Sequence, residues 1–587
     1  MSEHIAAIAA RSQKVLNTFL DRNRLNMESL NTKNQMQLQN AFADFMKHLS
    51  NDPNRFVDAN INFWQDYVQL LQNTLDRAKG EEVEPVITPE KGDKRFKDEE
   101  WDENWVFDYF KESYLLGSRW AQSLVAEVQD LDPQIHHKVE FYTKQIVDAL
   151  SPSNFWMMNP EVLRATIESK GENLVKGLEH MLADIEKGHG QLRITMSDNS
   201  AFEFGKNIAT TPGKVVFQNR MFQLIQYSPL TEQVFKRPIL FVPPWINKYY
   251  ILDLKESNSM IRHLVDQGHT VFCMSWVNPD ETYADVGFED YMIEGPVEAA
   301  RQVAKITGQD KINCAAYCIG GTLLATTMAW LEAAGDKKPE GVPEIASATF
   351  FATLIDFSQP GDLGVFIDEQ QIEMLEDLME QKGYLPGSSL AMTFSMLRAN
   401  DLIWSFVVNN YLMGKEPFPF DLLTWNSDST NMSKAMQSYY LRNMYLENNL
   451  IQPNKLSMRD VPIDLRKVKA PVFCVSTIED HISLWRANYI ATQTYSGPIT
   501  YCLGGSGHIA GIINPPDKEK YCYWDNPEYP ASPDEWFKKA TQHKGSWWPK
   551  WTKWLEDLNN EKVAARDPAN GNVIEDAPGS YVQVKGA

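Results

Sequence analysis

The sequence has few of the features that mark secreted, metal-binding or membrane-spanning proteins. Only six of its 587 residues are cysteine, and no two of them form a CxxC pair. Neither a disulfide framework nor a zinc site is therefore predicted. No uninterrupted apolar run approaches the roughly 18 residues of a transmembrane helix, so no such helix is expected. The first residues lack a charged start followed by a long apolar stretch, so no signal peptide is indicated. We expect a cytoplasmic protein.

Positive charge is also scarce. Lys and Arg number 56 against 78 Asp and Glu, which gives a formal net charge of −22. Such a balance opposes binding to nucleic acid or to anionic lipid. A chain of 587 residues can bury a large core, and its length predicts two domains.

Residues 1–200 carry apolar side chains at helical spacing, which predicts an all-α N-terminal domain. A charged stretch with Pro85, Pro89 and Gly92 interrupts the pattern and predicts a linker near residues 80–100.

The helical pattern forms several amphipathic stripes. It covers residues 5–19, and it resumes after the linker over residues 101–150 and 160–187. One further stripe consists of Trp64, Tyr67, Val68, Leu71 and Leu75. Because the polar faces have no excess of Lys or Arg, we interpret the stripes as helices that pack together rather than as a lipid-binding surface.

Residues 201–587 have a different periodicity, in which strand-length apolar runs alternate with helical segments. This alternation predicts a mostly parallel sheet with helices on both faces. The predicted strands cover residues 238–243, 269–276, 311–317, 346–354, 470–476 and 499–503. A helical, aromatic-rich insertion at about residues 355–465 falls where a cap over the C-terminal edge of the strands is expected.

A strand–turn–helix segment surrounds Cys318. The apolar run Lys311–Tyr317 leads into this cysteine, and Gly320 and Gly321 then open a helical segment. This is the context of a nucleophile elbow, whose strained backbone needs small neighbours. Relative to the G-x-S-x-G pattern, Ala316 replaces the first glycine and Cys318 replaces serine. Because a buried cysteine beside glycines is more often part of a core, this segment alone does not indicate catalysis.

Two later segments complete a triad. Asp480 ends one predicted strand, and His508 lies in a glycine-rich loop after the next. The order nucleophile, acid, histidine is that of the α/β-hydrolase triad. Imidazole can take the proton of the thiol, and a carboxylate on its other nitrogen fixes the tautomer. We predict Cys318, Asp480 and His508 as catalytic residues, with Glu479 as the alternative acid.

An oxyanion hole is predicted from the same fold. The backbone N–H groups would come from Ile319, directly after the nucleophile, and from Ile246, in the loop after the first strong strand. Asn247 could assist as a polar side chain.

Several motifs identify a family. The sequence resembles the class I polyhydroxyalkanoate (poly-3-hydroxybutyrate) synthases through YCIGGT at residues 317–322, PPWINKYYILD at 243–253 and EDH at 479–481. Further similar blocks are SPSNF at 151–155, NIATTPG at 207–213, SWVNPD at 275–280, TLIDF at 353–357, GSWW at 545–548 and APGSYV at 577–582. The similarity covers about residue 100 to the end of the chain. It implies an α/β-hydrolase fold with a helical cap, preceded by an all-α domain.

The resemblance also implies an activity. The enzyme would be an acyltransferase that polymerises short-chain (R)-3-hydroxyacyl-CoA, such as 3-hydroxybutyryl-CoA, through an acyl thioester on Cys318. The 3-hydroxyl would be deprotonated by Asp480 directly or through His508, and retention of the growing chain on the cysteine stays open. No cofactor or metal is expected, since CoA is part of the substrate and a released product. Lys248 and Arg398 are candidate CoA contacts, although either could sit in an ion pair.

The implied partners follow from the insoluble polyester product. We expect a homodimer that becomes associated with polyester granules, where the N-terminal helices could meet granule proteins. A thioesterase or depolymerase of the same fold is the alternative enzyme. A non-catalytic granule-coat protein is the alternative of another class, and an ordered triad would have no purpose there.

Overall fold

The computed structural model describes residues 28–51, 53–128 and 130–586. These residues form two compact units. One contains the described residues up to Asp198 together with Thr393–Phe418, and the other contains Asn199–Met392 and the chain from Pro419 onward.

The segment Thr393–Phe418 is a difference from the sequence prediction, which placed it in the cap. Buried polar contacts tie it to the N-terminal unit. Tyr411 donates a hydrogen bond to Asp184 at 2.7 Å, and Asn173 donates one to the carbonyl oxygen of Leu412 at 2.8 Å. Such long-range pairs leave no periodic signal in the sequence.

The N-terminal unit is helical before residue 199, as predicted. Its α-helices are Glu28–Asn51, Pro53–Ala78, Glu100–Glu103, Trp105–Glu127, Pro133–Ala149, Pro160–Glu168 and Glu172–Lys187. Capping residues explain why the long predicted helices are divided. Asp132 caps the helix that begins at Pro133, and Gly171, with φ of 87°, separates the last two helices.

The stripe on helix Pro53–Ala78 does not pack in the way the sequence predicted. Trp64, Val68 and Leu75 are 58%, 62% and 58% exposed among the described residues, so the packing interpretation is wrong for them. Phe45 and Leu49 on the preceding helix do lie in a buried cluster. The predicted amphipathic pattern at residues 5–19 lies outside the described residues.

The predicted linker between Ala78 and Glu100 is irregular but packed. The carboxylate of Glu112 accepts hydrogen bonds from the backbone N–H groups of Val86 and Ile87, at 2.6 and 3.0 Å. Phe96 is buried against Trp101. The linker is therefore a fixed part of the N-terminal unit.

The second unit is built on an 11-stranded sheet. Its strands are β1 (Gly213–Gln218), β2 (Phe222–Tyr227), β3 (Ile239–Val242), β4 (Val271–Trp276), β5 (Lys311–Tyr317), β6 (Glu344–Phe351), β7 (Val472–Thr477), β8 (Ile499–Gly504), β9 (Cys522–Asp525), β10 (Thr541–Lys544) and β11 (Glu575–Asp576). Their spatial order is β10-β9-β8-β7-β6-β5-β3-β4-β2-β1-β11.

The six strands from β8 to β4 in this order are mutually parallel, and they are the six strands that the sequence predicts. Alternate residues enter two core clusters on opposite faces of the sheet, so that Leu240 belongs to one cluster and Phe241 to the other. Burial on both faces explains the continuous apolar runs.

Helices surround this sheet. They are Met260–Asp266, Phe288–Met292, Glu298–Thr307, Ile319–Ala333, Glu369–Lys382, Asp421–Ser427, Lys434–Tyr440, Trp485–Asn488, Ala491–Thr494, Pro533–Lys539 and Trp548–Leu558. Helix Gly387–Leu397 begins in this unit and ends in the segment Thr393–Phe418 of the other. The helices between Glu369 and Tyr440 form the insertion between β6 and β7. None of the helices in the described part of the chain has the length and hydropathy needed to cross a membrane.

The elbow after β5 and the parallel core with helices on both faces are those of the α/β-hydrolase fold, so the predicted fold class is confirmed.

Candidate active site

Cys318 occupies a strained turn between β5 and helix Ile319–Ala333. Its φ of 52° and ψ of −127° lie in a region that residues with a β-carbon rarely adopt. The thiol is partly exposed, whereas Cys314 on the same strand is buried. The turn therefore presents the side chain beyond the end of the sheet, as a nucleophile elbow does.

Close backbone packing explains the two glycines after this turn. A β-carbon on Gly320 would lie 2.4 Å from the carbonyl oxygen of Val242, and one on Gly321 would lie 2.0 Å from Oγ1 of Thr353. Neither position has room for a side chain. The Gly320 contact also brings the start of the helix next to the end of β3.

The acid and the histidine meet at the ends of β7 and β8. Nδ1 of His508 lies 2.7 Å from Oδ2 of Asp480. The other carboxylate oxygen, Oδ1, accepts hydrogen bonds from the backbone N–H groups of Ile482 and Ser483, both at 2.9 Å. Asp480 is buried, whereas Glu479 is exposed, and of the two carboxylates it is Asp480 that pairs with the imidazole.

The neighbours of His508 control its charge. Burial lowers the pKa of the imidazole, but the charge and hydrogen bond of Asp480, together with a hydrogen bond to Cys318, raise the pKa of His508 to about 10. The imidazole therefore holds a proton at neutral pH when it faces the cysteine. A protonated imidazole beside a cysteine can act as the acid–base partner of a sulfur nucleophile.

The two residues of the predicted oxyanion hole flank this turn. Ile319 is the first residue of the helix after Cys318. Ile246 is partly buried in the loop after β3. The approach of Gly320 to Val242 brings their two segments together. Their N–H groups as oxyanion donors stay a prediction.

Comparison of the sequence with known proteins identifies the family to which the chain belongs. Residues 92–264 match the family model described as Poly-beta-hydroxybutyrate polymerase (PhaC) N-terminus. The chain is 48% identical over 537 residues to the poly(3-hydroxyalkanoate) polymerase of Methylorubrum extorquens, and the match covers 91% of this chain and 88% of that one. This chain belongs to the poly(3-hydroxyalkanoate) polymerase family.

Two further members of the family match at similar length. The poly(3-hydroxyalkanoate) polymerase subunit PhaC of Rhizobium meliloti is 45% identical over 551 residues, covering 92% of this chain and 89% of that one. The one from Cupriavidus necator is 42% identical over 543 residues, with 91% and 89% covered. The resemblance drawn from the sequence motifs is confirmed.

Lys248 of this polymerase-family chain is not an exposed cation. It is 6% exposed, and its Nζ lies 2.9 Å from Asp428 and donates a hydrogen bond to the carbonyl oxygen of Val582 at 2.6 Å. Burial lowers its pKa, although Asp428 opposes the shift. Tyr250 donates a further hydrogen bond to Asp428 at 3.0 Å. The contacts of Lys248 are therefore those of a structural ion pair.

Asn247 and Arg398 are also engaged within the protein. The amide nitrogen of Asn247 donates to the carbonyl oxygens of Trp425 and Asn426, both at 3.2 Å. Arg398, in the N-terminal unit, forms an ion pair with Asp401 at 2.6 Å. The contact of Arg398 with CoA and the assisting role of Asn247 at the oxyanion hole stay predictions.

Sequence reasoning missed an aromatic cluster beside the nucleophile. The ring of Tyr445 lies 4.8 Å from that of Phe357 and 5.5 Å from that of Tyr440. Burial raises the pKa of Tyr445, and the charge of Cys318 raises it further. A π-helical turn, Leu441–Leu446, follows Tyr440. Because π-helical pairing joins residues five apart, a search at α-helical spacing does not find this pair.

Proposed function

We propose that this chain polymerises (R)-3-hydroxyacyl-CoA into a polyester and releases CoA, with Cys318 as the acylated nucleophile. The observation that carries the proposal is a thiol on a strained elbow, backed by the His508–Asp480 pair, in a member of this family. A thioesterase or depolymerase of the same fold would need water as the acceptor of the acyl group. Membership of the polymerase family supports polymerisation instead.

In the acylation step Cys318 is the nucleophile and His508 is the proton donor. The Cys318 thiolate attacks the carbonyl carbon of the acyl-CoA, a new C–S bond forms, and the C–S bond to CoA breaks. The imidazolium of His508 gives its proton to the departing CoA sulfur. Exchange of one thioester for another is nearly balanced in energy, so a thiol nucleophile suits the reaction. No cofactor is required in this scheme.

Elongation then needs a base for the 3-hydroxyl, and we assign this role to His508. Both carboxylate oxygens of Asp480 are held by protein groups, and its side chain is fully buried. Acylation removes the charge and hydrogen bond of Cys318, two of the causes that raise the pKa of His508. The neutral imidazole accepts the hydroxyl proton while the oxygen attacks the carbonyl carbon of the acyl thioester on Cys318. An ester bond forms, the C–S bond to Cys318 breaks, and the sulfur leaves as an anion beside the newly protonated imidazole.

Stabilisation of the tetrahedral intermediate is assigned to the N–H groups of Ile319 and Ile246. The aromatic residues Tyr440 and Tyr445 belong to the insertion and contribute apolar surface beside Cys318. Such surface would exclude water from the acyl-enzyme and accommodate an oily product. By family resemblance we also propose short-chain substrates and a homodimer.

Granule association is assigned to the exposed stripe of helix Pro53–Ala78. An exposed apolar patch on a folded unit is typical of an interaction surface. A chain with Trp64→Glu and Val68→Glu should colocalise severalfold less with polyester granules, while its release of CoA from soluble substrate stays unchanged. A Gln69→Glu, Gln72→Glu chain adds the same charge on the same helix and should behave like the parent. Equal colocalisation of all three would refute the assignment.

The experiment for the activity itself follows free CoA released from (R)-3-hydroxybutyryl-CoA by purified protein, with Cys318→Ala alongside, and recovers the acyl product. Sustained release with insoluble polyester, absent from the variant, supports the proposal. Free hydroxy acid as the only product would identify a thioesterase. No release with any chain length would favour the coat protein.

A further inference from the structure

The loop that carries His508 has an unusual composition for a segment that must hold a catalytic group in place. It runs from Gly504 at the end of β8 to Ile512, and four of its nine residues are glycine. Glycine leaves a chain conformationally free. A displacement of about 1 Å in a catalytic group can lower a rate by about 100-fold, so this loop needs external restraint.

Three buried aromatic side chains supply donors to the loop. The hydroxyl of Tyr317 donates to the carbonyl oxygen of His508 itself at 2.6 Å. The indole N–H of Trp547 donates to the carbonyl oxygen of Gly511, and that of Trp548 to the carbonyl oxygen of Ile512, both at 2.9 Å. All three side chains are at most 2% exposed.

Tyr317 makes a second contact. Its ring stacks on the imidazole of His508, with centroids 5.4 Å apart and planes inclined by 29°. Tyr317 also directly precedes Cys318 in the chain. One residue therefore joins the elbow of the nucleophile to the backbone and the ring of the histidine.

The GSWW motif at residues 545–548 now has a structural explanation. Gly545 has a φ of 90°, a conformation that suits glycine. The hydroxyl of Ser546 accepts a hydrogen bond from the N–H of Trp548 at 3.1 Å, at the start of helix Trp548–Leu558. The motif thus begins a helix, and both of its tryptophans, Trp547 just before the helix and Trp548 at its first position, donate hydrogen bonds to the histidine loop.

We propose that Tyr317, Trp547 and Trp548 are positioning residues that hold His508 against Cys318. The assignment deepens the proposed function and rests on Cys318 and His508 being its nucleophile and base. Each of these aromatic side chains donates a hydrogen bond to one loop carbonyl. Removal of a donor leaves a buried carbonyl oxygen without its partner, so the loop moves toward water or toward another donor.

The chain offers a matched control on the same helix. Trp551 is fully buried and also donates one indole hydrogen bond, but its acceptor is Oγ1 of Thr349 on β6, at 2.8 Å. Trp551→Phe therefore removes the same kind of hydrogen bond from the same helix, at an acceptor outside the histidine loop, and keeps an aromatic ring beside Trp547. Its effect measures the general consequence of this substitution.

The test measures alkylation of Cys318 by iodoacetamide as a function of pH, resolved by mass spectrometry of the Cys318 peptide. Cys474, which is buried on β7, reports any general loosening. The variants are Tyr317→Phe, Trp547→Phe, Trp548→Phe and Trp551→Phe, and the thermal midpoint is measured for each.

We expect the first three substitutions to slow alkylation of Cys318 at neutral pH by roughly three- to tenfold and to move the profile to higher pH. Trp551→Phe should lower the thermal midpoint about as much as these three substitutions do. It should leave the pH profile of Cys318 alkylation unchanged. The proposal is overturned if the folded variants keep the parent profile, or if Trp551→Phe shifts it equally. Alkylation needs no polymer, so the outcome is independent of whether the chain proves to be a polymerase.

Discussion

Gly320 packs directly against Val242, because a β-carbon on this glycine would lie 2.4 Å from the carbonyl oxygen of the valine and 2.6 Å from that of Pro243. The contact joins the helix after the nucleophile to the loop that carries Ile246. Both the geometry of the elbow and the approach of the two candidate oxyanion donors therefore require a glycine at position 320.

Gly320→Ala should separate these two segments. We expect a loss of stability of about 1–3 kcal/mol, as for other overpacked cores, and at least a tenfold slower release of CoA. Gly117→Ala is the control, because that helical glycine has open space around its missing β-carbon. Circular dichroism melting and the CoA assay check both. Full activity of the Gly320 variant would contradict this prediction, because catalysis would then not require the close approach of the loop that carries Ile246.

Asp480→Asn removes the carboxylate that holds His508. The pKa of His508 should fall from its raised value, since the charge of Asp480 is a main cause of the rise. CoA release should then fall by roughly a thousandfold or more, as in other triads that lose the acid. Glu479→Gln, at the exposed neighbouring carboxylate, should be nearly silent. The reverse ranking would identify Glu479 as the acid.

The raised pKa of His508 also predicts the direction of a stability change. The stabilisation is fully present below the unfolded pKa of about 6.5 and is lost as the pH rises through about 10. In Asp480→Asn the difference in thermal midpoint from the parent should therefore shrink between pH 7 and pH 10. A constant difference would mean that the pair does not exchange a proton in this range.

Lys248→Met tests a structural role against binding of CoA. It leaves Asp428 buried without its nearest cation, and we expect a loss of about 3–5 kcal/mol. Lys585 pairs with the same carboxylate from an exposed position, so Lys585→Met should cost less than about 1 kcal/mol. Thermal melting checks both. A stable Lys248 variant with a raised KM for acyl-CoA would restore the predicted CoA contact.

His269 predicts sensitivity to acid. Neither ring nitrogen has a hydrogen-bond partner among the described residues, and burial lowers the pKa of His269 to about 3. Because the unfolded chain takes up a proton near pH 6.5, stability should fall below that pH, by about 1.4 kcal/mol per unit from this group. His269→Leu should melt with a smaller drop between pH 7.5 and pH 5.5. An unchanged drop would assign the acid sensitivity to other groups.

The sequence predicted the parallel strands of the sheet well and its antiparallel strands poorly. The parallel strands β3 to β8 are covered on both faces, so each appears as a continuous apolar run. The antiparallel strands β9 and β10 have four residues each and are at least partly exposed, and β10 has the polar composition of a loop. These segments are strands because they pair with a neighbouring strand, β9 with β8 and β10 with β9. A single sequence does not show which segments will pair.

Some residues of the candidate site could also be predicted from the sequence, and others could not. Cys318, Asp480 and His508 were predictable because each lies at the end of a strand, where the fold brings them to one edge. The burial of Lys248 was not predictable, since its partner Val582 is 334 residues away. The exposed stripe of Trp64 and Val68 shows a further limit, because periodicity reveals an apolar face and leaves its partner unspecified.

Rapid acid quenching of the enzyme with (R)-3-hydroxybutyryl-CoA, followed by mass spectrometry of its peptides, tests the central claim most directly. The peptide containing Cys318 should gain the mass of one or more hydroxybutyryl groups, and His508→Gln should delay this gain. Acyl groups on another residue, or CoA release without any acylated peptide, would contradict the assignment of Cys318 as the nucleophile.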